Sequence, residues 1–293
     1  MAKTLTIFTP AYNRAYTLHL GYEALLRQTC QDFEWLIIDD GSTDNTRELV
    51  AGWIKENKIP IRYHYQENQG MHGAHNTAYR LITTELNTCI DSDDYMPDNA
   101  VEKIVTFWEK YGSNEVAGII GLDADFQGNI IGTTFTEKQT TLGKFYAQGG
   151  KGDKKMIYRT EIINQYPEYP LFKGEKYVSL GYKYELIDQD YSLLTLNEVL
   201  IKVEYRPDGS SMNMFRQYIK NPQGFAFIRK SSMQLAPTAK RRFMEAIHYV
   251  SSSLILKNKR FLQESPKKFL TLCAIPFGIA LYLFIRFKTR NIQ

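Results

Sequence analysis

Along the first third of the chain, short apolar runs alternate with longer stretches of helical spacing, and a polar cluster marks each change of period. Residues 5–9 (LTIFT) form a β-rich run that stops at Pro10, and residues 35–38 (WLII) form a second. Residues 62–66 and 87–90 give a third and a fourth strand. Between them, residues 16–28, 44–58 and 72–84 place apolar side chains at helical intervals. A fourth helix starts after Pro97 and runs to about Tyr111, proline being suited to a first turn where its missing N–H is not needed. Strands alternating with helices of this length predict βαβ units and a mostly parallel sheet with right-handed crossovers.

Ligands of such sheets bind beyond the carboxyl ends of the strands. The polar clusters fall there: residues 9–14, 39–44, 66–70 and 91–94. No Gly-x-Gly-x-x-Gly follows the first strand and no P-loop is present, which excludes the common dinucleotide and triphosphate cradles. The strand ends carry carboxylates and amides instead. A carboxylate repels a bare phosphate, so these positions suit ribose hydroxyls, base N–H groups or a divalent cation. That chemistry points to a sugar nucleotide whose diphosphate is held through Mn²⁺ or Mg²⁺.

Four runs sharpen the reading: TPAYNR (residues 9–14), IDDGSTDNT (38–46), ENQGMHGAHNTA (67–78) and IDSDDYMPD (90–98). In order and spacing, over roughly the first 110 residues, they resemble the signature of glycosyltransferase family 2. The resemblance implies a GT-A fold, a Rossmann-like α/β sheet flanked by helices, and inverting transfer from a nucleotide sugar. It implies donor contacts from Thr9, Pro10, Tyr12, Asn13, Arg14, Asn68, Asn76, Asp91 and Ser92. Asp39 would meet the base, a uracil N–H in the UDP-sugar reading, with Asp40 as substitute. Asp91-Ser92-Asp93 matches the family's Asp-x-Asp motif: Asp93 would ligate metal, and Asp91 would reach ribose or metal. Asp94 would do either, or cap the next helix. Met71 occupies a place where the family often carries a basic residue, and His72 and His75 read as local hydrogen-bonding residues.

Two other Asp-x-Asp patterns compete. Asp123-Ala124-Asp125 precedes FQGNII, which reads as a hairpin turn between strands, and Asp188-Gln189-Asp190 reads as a solvated turn. Beyond the hairpin, residues 151–160 read as a loop, a strand and the start of a helix. In many family 2 enzymes a Glu-Asp pair next opens a helix and supplies the catalytic base. Here the sequence is Gly174-Glu175-Lys176, which leaves Glu175 as the catalytic base, with Glu185 and Asp188 as alternatives. An acid at a helix start is also favoured by the helix dipole alone. The run EYRPDGSSMN (204–213) resembles a loop that folds over the diphosphate, where Arg206 or Ser210 would meet phosphate.

Charge separates the tail from the rest. From Arg216 onward there are 15 Lys/Arg and two acids, Glu245 and Glu264, whereas the preceding chain is acidic. Residues 269–285 form an apolar run without charge, flanked by Lys267, Lys268, Arg286, Lys288 and Arg290. Its length sits at the lower limit for a span. Pro276 and Gly278 in its middle favour a kinked or re-entrant hairpin, and a packed C-terminal helix is the alternative. Basic amphipathic helices over residues 216–261 would lie in the headgroup plane. The N-terminal residues lack a signal-peptide pattern, and Cys30, Cys89 and Cys273 suit a reducing cytoplasm.

The expected organisation is therefore a catalytic domain over residues 1–215, with a nucleotide-binding half to 110 and an acceptor half from 111. A basic membrane-associating tail would follow over residues 216–293. The expected function is sugar transfer to a glycan or lipid-linked acceptor at the inner face of a membrane, in cell-surface polysaccharide or glycolipid assembly, with no nucleic acid involved. The competing readings are a nucleotidyltransferase, which would want a Gly- and Arg-rich loop after the first strand, and a sugar-nucleotide-binding protein without turnover.

Overall fold

The structure is a computed structural model that describes residues 3–204 and 214–290 of the chain. It divides into two compact units, residues 1–168 with 187–204 and residues 169–186 with 205–293. The stretch holding Glu175, residues 169–186, groups with the residues from 205 onward.

The first unit follows the alternation read from sequence. Its front comprises β1 (Leu5–Ala11), α1 (Leu18–Leu26), β2 (Phe33–Asp39), α2 (Thr46–Glu56), β3 (Ile61–Tyr65) and α3 (Met71–Leu81). Then come β4 (Leu86–Cys89), α4 (Ala100–Tyr111), β5 (Val116–Ala124), β6 (Gln139–Thr140), α5 (Leu142–Ala147), β7 (Lys154–Arg159) and α6 (Thr160–Gln165). Helix α7 (Gly181–Asp190) leads into β8 (Ser192–Lys202). The strands form one sheet in the order β3-β2-β1-β4-β7-β5-β8-β6. Strands β1 to β4 pair in parallel, but β7 runs antiparallel to both its neighbours and β6 antiparallel to β8, so the sheet is mixed.

From β1 the chain moves outward to β2 and β3, then crosses to the other side of β1 to form β4. That reversal is the switch point at which an open α/β sheet leaves a crevice beyond its strand ends. The turns after β1 and β4 flank it. On one face of the sheet, Leu5, Ile7, Trp35 and Ile37 pack with Tyr22, Leu25, Trp53, Ile104 and Trp108 from α1, α2 and α4. Tyr22 and Trp53 stack with ring centroids 4.3 Å apart. On the other face Phe8 meets the edges of His75 and Tyr79 of α3 at 5.0 and 5.5 Å. Because β-strand side chains alternate between faces, Ile7 and Phe8 serve opposite layers.

The hairpin expected after residue 122 shrinks to a bend. Asp125 and Asn129 close the turn, and a lone bridge joins Ala124 to Ile130. Asp123 therefore sits on β5 itself and is buried, 6% exposed.

In the second unit the basic tail folds into α8 (Met214–Lys220), α9 (Pro222–Leu235), α10 (Ala239–Ile255), α11 (Phe261–Glu264) and α12 (Lys268–Lys288). Thr238 caps α10 by accepting the N–H of Arg241, and Pro222 occupies the first turn of α9. Met233, Ala246, Tyr249, Val250 and Ala274 form the core of this unit. Helix α12 is continuous through Pro276, which corrects the re-entrant hairpin: Pro276 faces outward and the chain does not reverse. A Cβ on Gly278 would lie 2.5 Å from Val250, so glycine here lets α12 come close against α10. The diphosphate loop, with Arg206 and Ser210, lies outside the described residues.

Candidate active site

The turns at the carboxyl edge of the sheet are stitched to one another before any ligand arrives. Asn13, in the left-handed region at φ 54°, accepts the N–H groups of Thr43 and Asp44 on its side-chain oxygen, and its own N–H donates to the Ser42 hydroxyl. Asparagine tolerates that conformation better than most residues. The turn after β1 is thereby tied to the turn after β2. Gly41, at φ 85°, brings the second turn against the third: a Cβ there would lie 2.8 Å from the Asn68 backbone nitrogen.

Asp39 ends β2 and is 1% exposed. Its Oδ1 accepts the Ser42 N–H at 2.8 Å and its Oδ2 accepts the Tyr63 hydroxyl at 2.5 Å. Burial and the Asp39 charge raise the Tyr63 phenol pKa, keeping it a donor. Asp40 has a different task. It accepts the Gln66 side-chain amide and the backbone N–H groups of Gln69 and Gly70, closing the turn that opens α3. The buried Gln66 Oε1 and Gln69 Oε1 find no partner among the described residues, so two amide acceptors stand beside this turn.

Other members of the expected donor set differ in how far they are buried. Thr9 is buried and its hydroxyl accepts the Trp35 indole N–H at 2.9 Å. Asn76 is buried in α3, and His75 Nδ1 lies 2.9 Å from the Met71 carbonyl within the same helix. Tyr12 is half exposed, and Arg14 reaches the Tyr16 hydroxyl at 3.1 Å. The positive charge of Arg14, on the turn after β1, slightly favours the ionised form of Asp91 on the turn after β4.

The turn after β4 concentrates negative charge. Asp91 is open to solvent, yet the protein crowding it raises its carboxyl pKa, with Lys155 opposing and Asp93 adding to the rise. Burial, then the charges of Asp91 and Asp93, push Asp94 up to about 8. Burial also pushes Asp123 up to about 6, with Lys155 opposing and Asp153 adding. Asp123 Oδ1 is buried and has no hydrogen-bond partner among the described residues. Lys155 of β7 donates to the Cys89 carbonyl and is the cation these carboxylates share. Sequence reasoning missed Lys155 and Tyr63, and gave Asp123, just before a turn, no role as a base. Their signal lay in strand pairing, since β7 enters the sheet between β4 and β5.

Among the described residues no three His, Cys, Asp or Glu side chains converge as a metal cage. A cation that bridges a diphosphate takes most of its oxygens from phosphate and water and needs only one or two carboxylates. Mutually repelling carboxylates at a strand end fit that need, because a cation between them relieves the repulsion that adds to burial in raising Asp94. A cavity of about 550 Å³ opens at the other end of β4, beside Thr84, Arg159 and Asn164, away from these acids.

All three acids considered as base are already engaged. Both oxygens of Glu175 accept backbone N–H groups from the first turn of α9, Gln223 and Gly224, at 2.8 Å each. Glu185 accepts the Ser232 hydroxyl at 2.6 Å and the Arg241 guanidinium at 2.9 Å. Asp188 caps α5 through the N–H groups of Leu142 and Gly143.

Residues 6–166 match the profile of glycosyl transferase family 2. The chain belongs to that family. A family 2 glycosyltransferase of this kind has named bacterial relatives. One is the Escherichia coli UDP-Glc:alpha-D-GlcNAc-diphosphoundecaprenol beta-1,3-glucosyltransferase WfgD, 25% identical over 73% of this chain and 81% of that protein. Chondroitin synthase of Escherichia coli is 34% identical over 43% of this chain but only 18% of its own length. An uncharacterised glycosyltransferase of Nostoc sp. is 31% identical over 40% of this chain, a match spanning 35% of that protein. Among solved structures, Staphylococcus aureus TarS 1–349 in complex with UDP-GlcNAc superposes with a TM-score of 0.62 at 17% identity, over 94% of this chain and 80% of that one. The mannosyltransferase PcManGT from Pyrobaculum calidifontis, in complex with GDP-Man and Mn²⁺, gives 0.57 at 16% identity, over 99% and 84%. These likenesses show the GT-A fold.

Proposed function

We propose that this family 2 enzyme transfers a sugar from a UDP-sugar to an acceptor hydroxyl, with inversion, in the assembly of a cell-surface glycan on a lipid carrier. The carrying observation is the array at the switch point: Asp39, oriented by Tyr63 and Ser42 at one end, and the Asp91–Asp94 carboxylates beside Lys155 at the other. The first end suits a base N–H and the second a metal-bound diphosphate. The WfgD relative, whose name states a UDP-Glc donor and a diphosphoundecaprenol acceptor, supports the donor and acceptor class. The basic second unit supports docking at the inner face of a membrane.

Asp91 and Asp93 would hold the divalent cation, which when bound neutralises charge on the departing diphosphate. Lys155 keeps the neighbouring acids from dominating the field. With Glu175, Glu185 and Asp188 held as acceptors elsewhere, we assign the proton of the attacking hydroxyl to Asp123, whose Oδ1 is unpartnered. Its carboxyl pKa of about 6 suits a group that must accept a proton near neutral pH.

A panel of UDP- and GDP-sugars, screened by thermal shift and by donor hydrolysis with Mn²⁺, tests the reading. One UDP-sugar should stabilise the protein and be hydrolysed only with the cation present. Stabilisation without hydrolysis or transfer to any acceptor would favour a binding protein.

A further inference from the structure

Helix α12 shows two unlike sides. Thr271, Ala274, Gly278 and Ile285 are buried, and the helix runs back along α10: Gly278 lies against Val250 and the backbone of Ile247, and Phe277 meets Phe243 with centroids 5.7 Å apart. The opposite side carries Phe269 (80% exposed), Leu272, Ile279, Leu283, Phe284 and Phe287 (70% exposed), with Phe277 at its margin. At about 100° per residue, the buried positions centre on one line, and the exposed apolar positions fill an arc of about 160° centred diametrically opposite. The exposed Lys268 and Arg286 fall at one margin of that arc and Lys288 at the other. Phe215 of α8 packs against Phe284 at 5.7 Å and extends the apolar face.

We infer that α12 lies in the plane of an anionic membrane leaflet, its Phe/Leu face below the headgroups and its marginal Lys and Arg at phosphate level, without crossing the bilayer. This deepens the membrane-docking part of the proposed function and rests on it. Helix α12 has 21 residues and is long and apolar enough to cross. Its partner forbids it. Spanning would carry α10 into hydrocarbon together with Lys240, Arg241, Arg242 and the Arg229–Glu245 ion pair at 2.8 Å. A helix apolar on one side, packed on its own protein by the other and bordered by basic residues has the build of an interfacial helix. The charge of the unit selects the occupant: 15 Lys/Arg against two acids from residue 216 on favour an anionic lipid surface over a second copy of the same basic unit.

Flotation of the full chain with phosphatidylcholine vesicles, with and without phosphatidylglycerol, tests the inference. The parent should float with the anionic vesicles, be released by alkaline carbonate, and leave a C-terminal tag open to protease outside sealed vesicles. The exposed pair Phe269→Glu/Phe287→Glu should lower vesicle affinity at least tenfold with an unchanged melting temperature, and Lys268→Glu/Arg286→Glu should remove the preference for phosphatidylglycerol. Carbonate-resistant retention with a protected tag would mean spanning and would overturn the in-plane placement while leaving membrane docking intact. No flotation at all would overturn both. Self-association abolished by the Phe269→Glu/Phe287→Glu pair, without lipid binding, would give the face to a second copy. None of these outcomes bears on sugar transfer, which soluble acceptors report separately.

Discussion

The Gly224 backbone N–H donates to the Glu175 carboxylate at 2.8 Å, and nothing larger than glycine fits at that position, where a Cβ would lie 2.2 Å from the Tyr177 carbonyl. Asn221 answers from the helix side, its side-chain oxygen accepting the Lys176 N–H at 2.7 Å. The acid that sequence order nominates for catalysis is thus a capping residue whose partners are 48 and 49 residues away in the chain.

Glu175→Gln keeps one acceptor oxygen and loses the charge at the helix start. It should lower unfolding stability by about 1–2 kcal/mol, the usual worth of a cap, and leave turnover per folded molecule near parental. Denaturant unfolding and transfer assays on the same preparation check both halves. A turnover loss of a hundredfold in a stable Glu175→Gln protein would return the base to Glu175.

Asp123→Asn should act in the opposite sense. Removing a general base typically slows turnover by about 10²–10⁴-fold, so transfer should collapse while nucleotide affinity stays. The folded carboxyl pKa is raised to about 6 from 3.8, so the folded state favours the neutral form. The stability of that neutral form is fully present below pH 3.8 and is lost as pH rises through 6. Asparagine mimics the neutral acid. The variant should therefore gain about 2–3 kcal/mol over the parent at pH 8, and nothing near pH 3. Equal melting temperatures at pH 8 would show that Asp123 is not strained.

Tyr63→Phe tests the base end of the site. Without the hydroxyl, Asp39 Oδ2 loses its oriented donor, and UDP affinity should fall by about 1–2 kcal/mol, less than for Asp39→Ala, which removes the acceptor itself. Calorimetric titration of UDP with Mn²⁺ reads both. Unchanged affinity in the two variants would remove this end from the donor site.

Asp93→Ala should abolish the Mn²⁺-dependent thermal shift with a UDP-sugar, and EDTA should do the same to the parent. Full activity in EDTA would refute the metal assignment.

Gly278→Leu examines the second unit. The added side chain collides with Val250, so the melting temperature should drop or the helices should separate, at a cost of about 1–3 kcal/mol for overpacking. Leu283→Ala, on the exposed arc, should leave stability nearly unchanged.

The first four strands and helices were legible because their period changes sharply and a turn residue punctuates each change. Boundaries shifted by a few residues, as when the helix read over residues 16–28 narrowed to Leu18–Leu26. What stayed illegible depends on long-range pairing. Nothing local tells that β7 inserts between β4 and β5 and delivers Lys155 to the acids after β4. Nor does local pattern distinguish a free carboxylate from an engaged one: Glu175 and Asp188 acquire partners only when α9 and α5 fold beneath them. The turn around Gly128 was legible, but that Asp123, at the end of β5, faces Lys155 of β7 was not, because it depends on the pairing of those strands. For α12, Pro276 suggested a break, but it is exposed and the helix continues through it.

The Glu175 cap also sets a schedule for synthesis. Glu175 leaves the ribosome 48 residues before Gln223 does. At about 5–20 residues per second, its carboxylate waits roughly 2–10 s with no helix end to hold. During that interval β8 is made and can join the sheet, so the first unit can close while residues 169–186 are still unanchored. The second unit, assembled last around residues 169–186, would be the first to suffer when elongation outruns folding.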